Sequence, residues 1–195
     1  YYSIRIMKKI CIFSSSSDAI QPEYFESAQK LAELLTQTGY HLVYGGAKIG
    51  LMGIVAKKVK ETGGRVTGII PEALKLKEIY YPDCDELVVT QDMRERTALM
   101  DELSDAFIAL PGGFGTLEEI TEHITMKQLG YHNKPIVFLN TKQFYNGLLD
   151  FFETLYTQKF AKENYRELYF VASEPEEIIE YLKHYSPFQM PDKWF

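Results

Sequence analysis

Ala106-Phe107-Ile108-Ala109-Leu110-Pro111-Gly112-Gly113-Phe114-Gly115-Thr116-Leu117-Glu118-Glu119 decides the fold class of this chain. Its first five residues are continuously apolar, as in a strand buried on both faces. After the glycines, Leu117, Ile120 and Ile124 recur at the spacing of one helix face. A strand, a glycine turn and a helix start make a natural anion site. Backbone N–H groups at the helix N-terminus point outward together, and glycines allow a phosphate to approach them closely. Such a turn has no need of a carboxylate, so Glu119, one turn into the helix, suggests a reacting centre beside the phosphate. Thr116-x-x-Glu119 also fits a capping box, in which both side chains only satisfy helix N-terminal donors. Three glycines directly before it shift the balance toward a ligand.

The same strand, turn and helix order recurs through the chain. Lys9–Phe13 reads as a first strand, ending in Ser14-Ser15-Ser16-Ser17-Asp18, a cluster able to cap the next helix or hydrogen-bond a ligand. Pro22 opens a helix to about Gln37, stopped by Gly39. His41–Tyr44 is a second strand, followed at once by Gly45-Gly46 and by Gly50-Leu51-Met52-Gly53, which begin a helix running to about Glu61. Gly50 and Gly53 either serve a ligand or only permit close helix–sheet packing. Further strands are expected at Arg65–Ile70, Leu87–Val89, Ile136–Leu139 and Tyr169–Val171. Further helices are expected from Asp92 through Leu103, from the glycine turn to about Leu129 before Gly130, at Gly147–Tyr156 and at Glu174–Tyr185. Pro71–Asp85 reads as a charged loop with a partial helix, a place where α/β proteins set substrate contacts.

Regular alternation predicts a Rossmann-like doubly wound parallel sheet with helices on both faces, in a single domain over residues 7–185. Tyr1–Ile6 reads as an upstream extension and residues 186–195 as an irregular tail. In such sheets ligands bind beyond the carboxyl ends of the strands, which puts Ser14–Ser17, Gly45–Gly53 and Gly112–Glu119 on one rim. Of Arg94 and Arg96, only one can share the helix's apolar side while its tip reaches a pocket.

A chain of 195 residues with net charge −6 has a substantial core and no basic stripe for nonspecific nucleic-acid binding. Cys11 and Cys84 are too few for a disulfide framework or a zinc site. No apolar run is long enough to span a membrane, and the amino terminus lacks a signal-peptide core, so a cytoplasmic location is expected. His123 reads as a partly exposed helix residue, with no second histidine at metal-ligand spacing; no metal and no cofactor are expected.

Pro-Gly-Gly-x-Gly-Thr-x-x-Glu, preceded by Met93-Arg94-Glu95-Arg96, resembles the LONELY GUY family of cytokinin riboside 5′-monophosphate phosphoribohydrolases. Tyr44-Gly45-Gly46, Gly50-Leu51-Met52-Gly53 and Ile70-Pro71-x-x-Leu74 extend the resemblance from about Met7 to Tyr185. The resemblance implies cleavage of the N-glycosidic bond of AMP or N6-isopentenyl-AMP, giving free base and ribose 5-phosphate. It matches Arg96 and Glu119 to the catalytic pair. It matches Glu78, Thr97, Gly112, Gly113, Phe114, Gly115, Thr116, Leu117, Glu118 and Thr125 to positions that hold the nucleotide. Ser15, Gly45 and Gly46 on the shared rim complete the expected binding set, and a homodimer is implied. Two departures stand out: Thr97 replaces the usual Lys, and Ser14-Ser15 replace a Cys-Gly. A carrier of nucleotide or molybdenum cofactor on the same fold is the alternative, as is a pyridoxal-phosphate decarboxylase, for which no lysine stands out.

Overall fold

The computed structural model describes residues 9–77 and 79–187. Seven strands form one sheet in the order β4-β3-β2-β1-β5-β6-β7, and every pairing is parallel. The strands are β1 (Lys9–Phe13), β2 (His41–Tyr44), β3 (Val66–Pro71), β4 (Glu86–Thr90), β5 (Ala106–Ala109), β6 (Ile136–Leu139) and β7 (Phe170–Ala172). The helices are α1 (Pro22–Gln37), α2 (Gly50–Glu61), α3 (Glu72–Lys75), α4 (Met93–Leu103), α5 (Phe114–Gln128), α6 (Asn146–Thr157) and α7 (Pro175–His184). The doubly wound expectation holds, with strand limits shifted by a residue or so. Two 3₁₀ segments, Thr141–Gln143 and Glu163–Leu168, lie where no regular element was expected.

Side chains alternate across each strand, so one sequence feeds two cores. Ile10 and Ile12 of β1, Leu42 and Tyr44 of β2, and Ala106 and Ile108 of β5 pack with Leu31, Leu35, Val55, Val59 and Ile178 of α1, α2 and α7. Cys11 and Phe13, Val43, and Phe107 and Ala109 face the other way, toward Met100 of α4, Ile120 of α5 and Tyr145. Burial on both faces explains why β1, β5 and β6 read as continuous apolar runs rather than alternating ones.

The winding reverses at β1, whose neighbours are β2 on one side and β5 on the other. Loops leaving adjacent strands in opposite senses open a crevice there, and this is where open α/β sheets bind ligands. Ser14–Ser17 leaves β1 and Pro111–Gly113 leaves β5, side by side: Ser15 N–H donates to the Pro111 carbonyl at 3.2 Å. The third rim loop joins them, because Met52 N–H donates to the Ser15 carbonyl at 3.4 Å and Gly50 N–H to Asp18 Oδ1 at 2.9 Å.

Candidate active site

The Gly112–Gly115 turn takes its shape from packing beneath it. A Cβ on Gly112 would lie 2.6 Å from Cβ of Thr116, whose side chain is buried under the turn. Around Gly113 and Gly115 a Cβ would meet nothing within 4 Å, so these two glycines leave open space outside the turn. Helix α5 starts one position after Gly113, which is its N-cap and makes no side-chain cap bond. The N–H groups of Phe114, Gly115 and Thr116 therefore form the helix's unpaired first turn and face the crevice side of the sheet.

This register removes the capping-box reading. Thr116 is already the third helical residue and Glu119 the sixth, too deep in α5 to serve orphan donors of the first turn. Glu119 turns instead toward α4 and forms an ion pair with Arg96 Nη2. Only 9% of the Arg96 side chain and 13% of the Glu119 side chain are exposed. Asp92 positions the arginine by capping α4, its Oδ1 accepting from Arg94 N and Glu95 N, each at 2.9 Å. Arg94 is exposed and Arg96 buried, which settles which arginine takes the inner face. Gly45 contributes room: a Cβ there would stand 3.4 Å from Arg96 Nη1 and 2.6 Å from Met52 Cε. Gly46 has φ +77° and accepts from Tyr81 N–H, so it shapes the β2 turn.

Burial raises the pKa of Glu119, and the Arg96 guanidinium opposes that rise. The pair leaves the Arg96 Nε buried with no hydrogen-bond partner among the described residues. A guanidinium held this way retains a donor for another acceptor in the crevice.

Beside the pair, α4 and α5 border an open groove of about 1200 Å³. Thr97, Gly115, Glu118, Glu119 and Thr125 all line it. The hydroxyls of Thr97 and Thr125 return to helix carbonyls, of Met93 and Thr121, at 3.0 Å each. On the other side of the turn, a cavity of about 240 Å³ is lined by Ser15, Tyr24, Gly112, Gly113 and Phe144. Among the described residues the serines do not cap α1: Ser15 Oγ accepts from Ser17 N, Ser17 Oγ from Ala19 N, and the α1 N-cap Gln21 makes no side-chain bond. Gly50 and Gly53 serve packing, since a Cβ at Gly50 would strike the Ser15 carbonyl at 2.6 Å and one at Gly53 the Lys48 backbone. Leu117 packs its side chain into the core below α5, which leaves only its backbone for a ligand. Phe114 is 92% exposed at the turn's tip. Glu78 lies outside the described residues.

Two expectations require correction or addition. His123 is fully buried, because its position on α5 brings it onto Phe107 of β5, ring over ring at 3.6 Å. His132, nine residues on, comes within 5.9 Å of it centroid to centroid. Met93 and Asp101 on α4, and Glu122, His123 and Met126 on α5, join the groove unanticipated. Helical spacing carried the signal: residues 93, 97 and 101 share one face, as do 119, 122, 123 and 126. Among the described residues Lys127 is the one buried lysine, and its ammonium is held by the Leu168 carbonyl and the Tyr185 hydroxyl, 3.0 Å each.

A family model described as possible lysine decarboxylase matches residues 52–182. Over 92% of this chain there is 43% identity to the cytokinin riboside 5′-monophosphate phosphoribohydrolase LOG5 of Arabidopsis thaliana, covering 79% of that protein. A probable enzyme of the same name from Oryza sativa, LOGL6, is 41% identical over 92% of this chain and 72% of its own length. Among solved structures, the molybdenum cofactor binding protein of Rippkaea orientalis superposes with a TM-score of 0.69 at 25% identity, covering 93% of this chain and 98% of that one. The molybdenum cofactor carrier protein of Chlamydomonas reinhardtii gives 0.68 at 22%, covering 91% and 96%. Those structures share the fold; the sequence match is to the hydrolases. The chain belongs to the family of cytokinin riboside 5′-monophosphate phosphoribohydrolases, the LONELY GUY family.

Proposed function

We propose that this protein hydrolyses the N-glycosidic bond of adenosine 5′-monophosphates, AMP or its N6-isopentenyl form, releasing the base and ribose 5-phosphate. The observation that carries this reading is the buried Arg96–Glu119 pair set beside the open glycine turn at the reversal point of the sheet.

The phosphate sits on the first-turn N–H groups of α5, with the helix dipole and the open space at Gly113 and Gly115 favouring an anion there. Fixing the phosphate positions C1′ near Glu119. As the C1′–N9 bond lengthens, its electron pair leaves with the purine and positive charge grows on the ribose ring. The Glu119 carboxylate stabilises that charge and takes the proton of the water that attacks C1′. The purine leaves electron-rich and takes up the proton that Glu119 accepted from water, which returns the carboxylate to its ionised form. Arg96, freed from Glu119, supplies charge to the leaving base or to the phosphate. Thr97, Glu118 and Thr125 line the path of the nucleotide along the groove.

The same reading has the enzyme in the cytoplasm as a homodimer, acting on soluble nucleotides without nucleic-acid or membrane partners. Net charge −6 and the lack of any membrane-length apolar helix among the described residues are in keeping with it. Release of ribose 5-phosphate from a panel of nucleoside monophosphates tests the activity, and light scattering the dimer. A carrier function would instead show tight nucleotide or molybdenum-cofactor binding with no turnover; the buried carboxylate–guanidinium pair beside the glycine turn favours the hydrolase.

A further inference from the structure

Asp101 of α4, His123 of α5 and His132 of the α5–β6 loop converge behind the groove that Asp101 and His123 line, with one donor atom from each lying within 4.8 Å of the others. We propose that these three residues bind a divalent transition-metal ion of the zinc or cobalt type. His123 is wholly buried, and neither of its ring nitrogens has a hydrogen-bond partner among the described residues. Its Nδ1 stands 3.7 Å from Asp101 Oδ1, too long for a hydrogen bond. His132 Nε2 is likewise buried and unpartnered. Desolvated imidazole nitrogens without partners are costly, and a shared cation would satisfy one nitrogen of each histidine at once.

The surroundings suit ligation. Stacking on Phe107 fixes the His123 ring plane. Two imidazoles and one carboxylate select zinc, cobalt, nickel or iron over magnesium or calcium. Three protein ligands leave a further coordination position for a non-protein ligand, and Asp101, the half-buried ligand, lines the groove.

Two local contacts give way when the ion binds. Lys134 Nζ bonds both the Asp101 carbonyl at 2.6 Å and Oδ1 at 3.0 Å; it keeps the carbonyl and cedes the carboxylate. His132 Nδ1 accepts from Lys134 N at 3.2 Å, and ligation through Nε2 moves the ring proton to Nδ1 and ends that long bond. In the absence of metal, Lys134 thus acts as the counter-cation of Asp101.

Titration of the full chain with Co²⁺, followed by visible absorption, is the test. One equivalent producing ligand-field bands is expected, with zinc displacing them. Asp101→Asn and His132→Ala, both at half-exposed positions, are expected to weaken binding by at least about tenfold. His123→Ala abolishes it, with far-UV circular dichroism reporting whether that core variant folds. Glu119→Gln keeps the bands, which separates this site from the hydrolase reading. No bands in the wild type, or undiminished binding in folded Asp101→Asn and His132→Ala, overturns the proposal.

Discussion

Replacing Glu119 by Gln changes one charge and almost no volume, so its effect on rate can be worked from the ion pair. A carboxylate about 4 Å from a full positive charge, at an effective dielectric constant of about 20, contributes about 4 kcal/mol. If Arg96 leaves Glu119 when substrate binds, that figure is lost in full, and turnover falls by about 10³. If Arg96 stays paired, a guanidinium charge assumed to lie about 7 Å from the ribose would cancel more than half of the benefit. The loss then shrinks to about 2 kcal/mol, or about twentyfold. The size of the defect therefore reports where Arg96 goes. The assay is chromatographic release of base from AMP and isopentenyl-AMP under saturating substrate. Thermal unfolding controls for the pair's structural part. Gln still offers Oε1 to the guanidinium, so the cost stays below the about 3–5 kcal/mol of stripping one partner from a buried pair. A folded Glu119→Gln protein with wild-type turnover would refute the assignment of the carboxylate and the mechanism with it.

The remaining predictions probe how the site is held. On the proposed mechanism activity requires ionised Glu119, whose pKa burial raises in the free protein, so the acid limb of kcat/KM lies above the ordinary carboxylate range and moves further up in Arg96→Ala. The stability contribution of Glu119 has the opposite sense: with its folded pKa raised, it is present below the ordinary carboxylate pKa and lost as pH rises through the folded value. Melting curves across that interval check this. Gly112→Ala places a methyl on buried Thr116 and is expected to cost about 1–3 kcal/mol in denaturant melts. Gly113→Ala meets nothing within 4 Å and has φ −90°, so stability is retained while KM for the monophosphate rises, because the methyl occupies the anion's approach. Asp92→Ala removes two cap bonds, lowers stability by about 1 kcal/mol, and reduces kcat through the loosened Arg96.

What could be read in advance follows from how local each signal is. Strands β1, β2, β5 and β6 are short apolar runs buried on both faces, so their composition alone declares them. The rim loops followed from a general rule about parallel sheets and needed no side-chain detail. Thr116 and Glu119 were ambiguous because a capping box and an inward-facing carboxylate share one spacing; only the helix start at Phe114 separates them. His123 was misjudged because its burial depends on Phe107, in another element sixteen positions earlier, and its neighbour His132 arrives through the α5–β6 turn. The 3₁₀ segments escaped notice for a similar reason. Thr141–Gln143 carries positive φ at Lys142 and Gln143, held by the Lys142–Glu23 ion pair and by Tyr145 N–H on Asn140 Oδ1.

The ion pair resolves a conflict that the mechanism creates. A general base must be ionised before it can work, yet a site dry enough to make its charge effective penalises ionisation. Glu119 sits in that position, with burial pushing its pKa up. Arg96 supplies the opposing charge before substrate arrives, and so keeps the carboxylate closer to its ionised form in the unliganded protein. A nucleotide phosphate and an electron-rich purine are competing partners for the same guanidinium, and its unpartnered Nε is already a donor without an acceptor. In the proposed mechanism, transfer of Arg96 from Glu119 to substrate would leave a bare carboxylate beside the ribose, at the moment when positive charge develops there. Binding energy from the phosphate end would thereby be converted into reactivity at C1′. A substrate lacking the phosphate forfeits this exchange, so the riboside is expected to lose kcat as well as affinity relative to its monophosphate. Equal kcat for the two would show that the exchange does not occur.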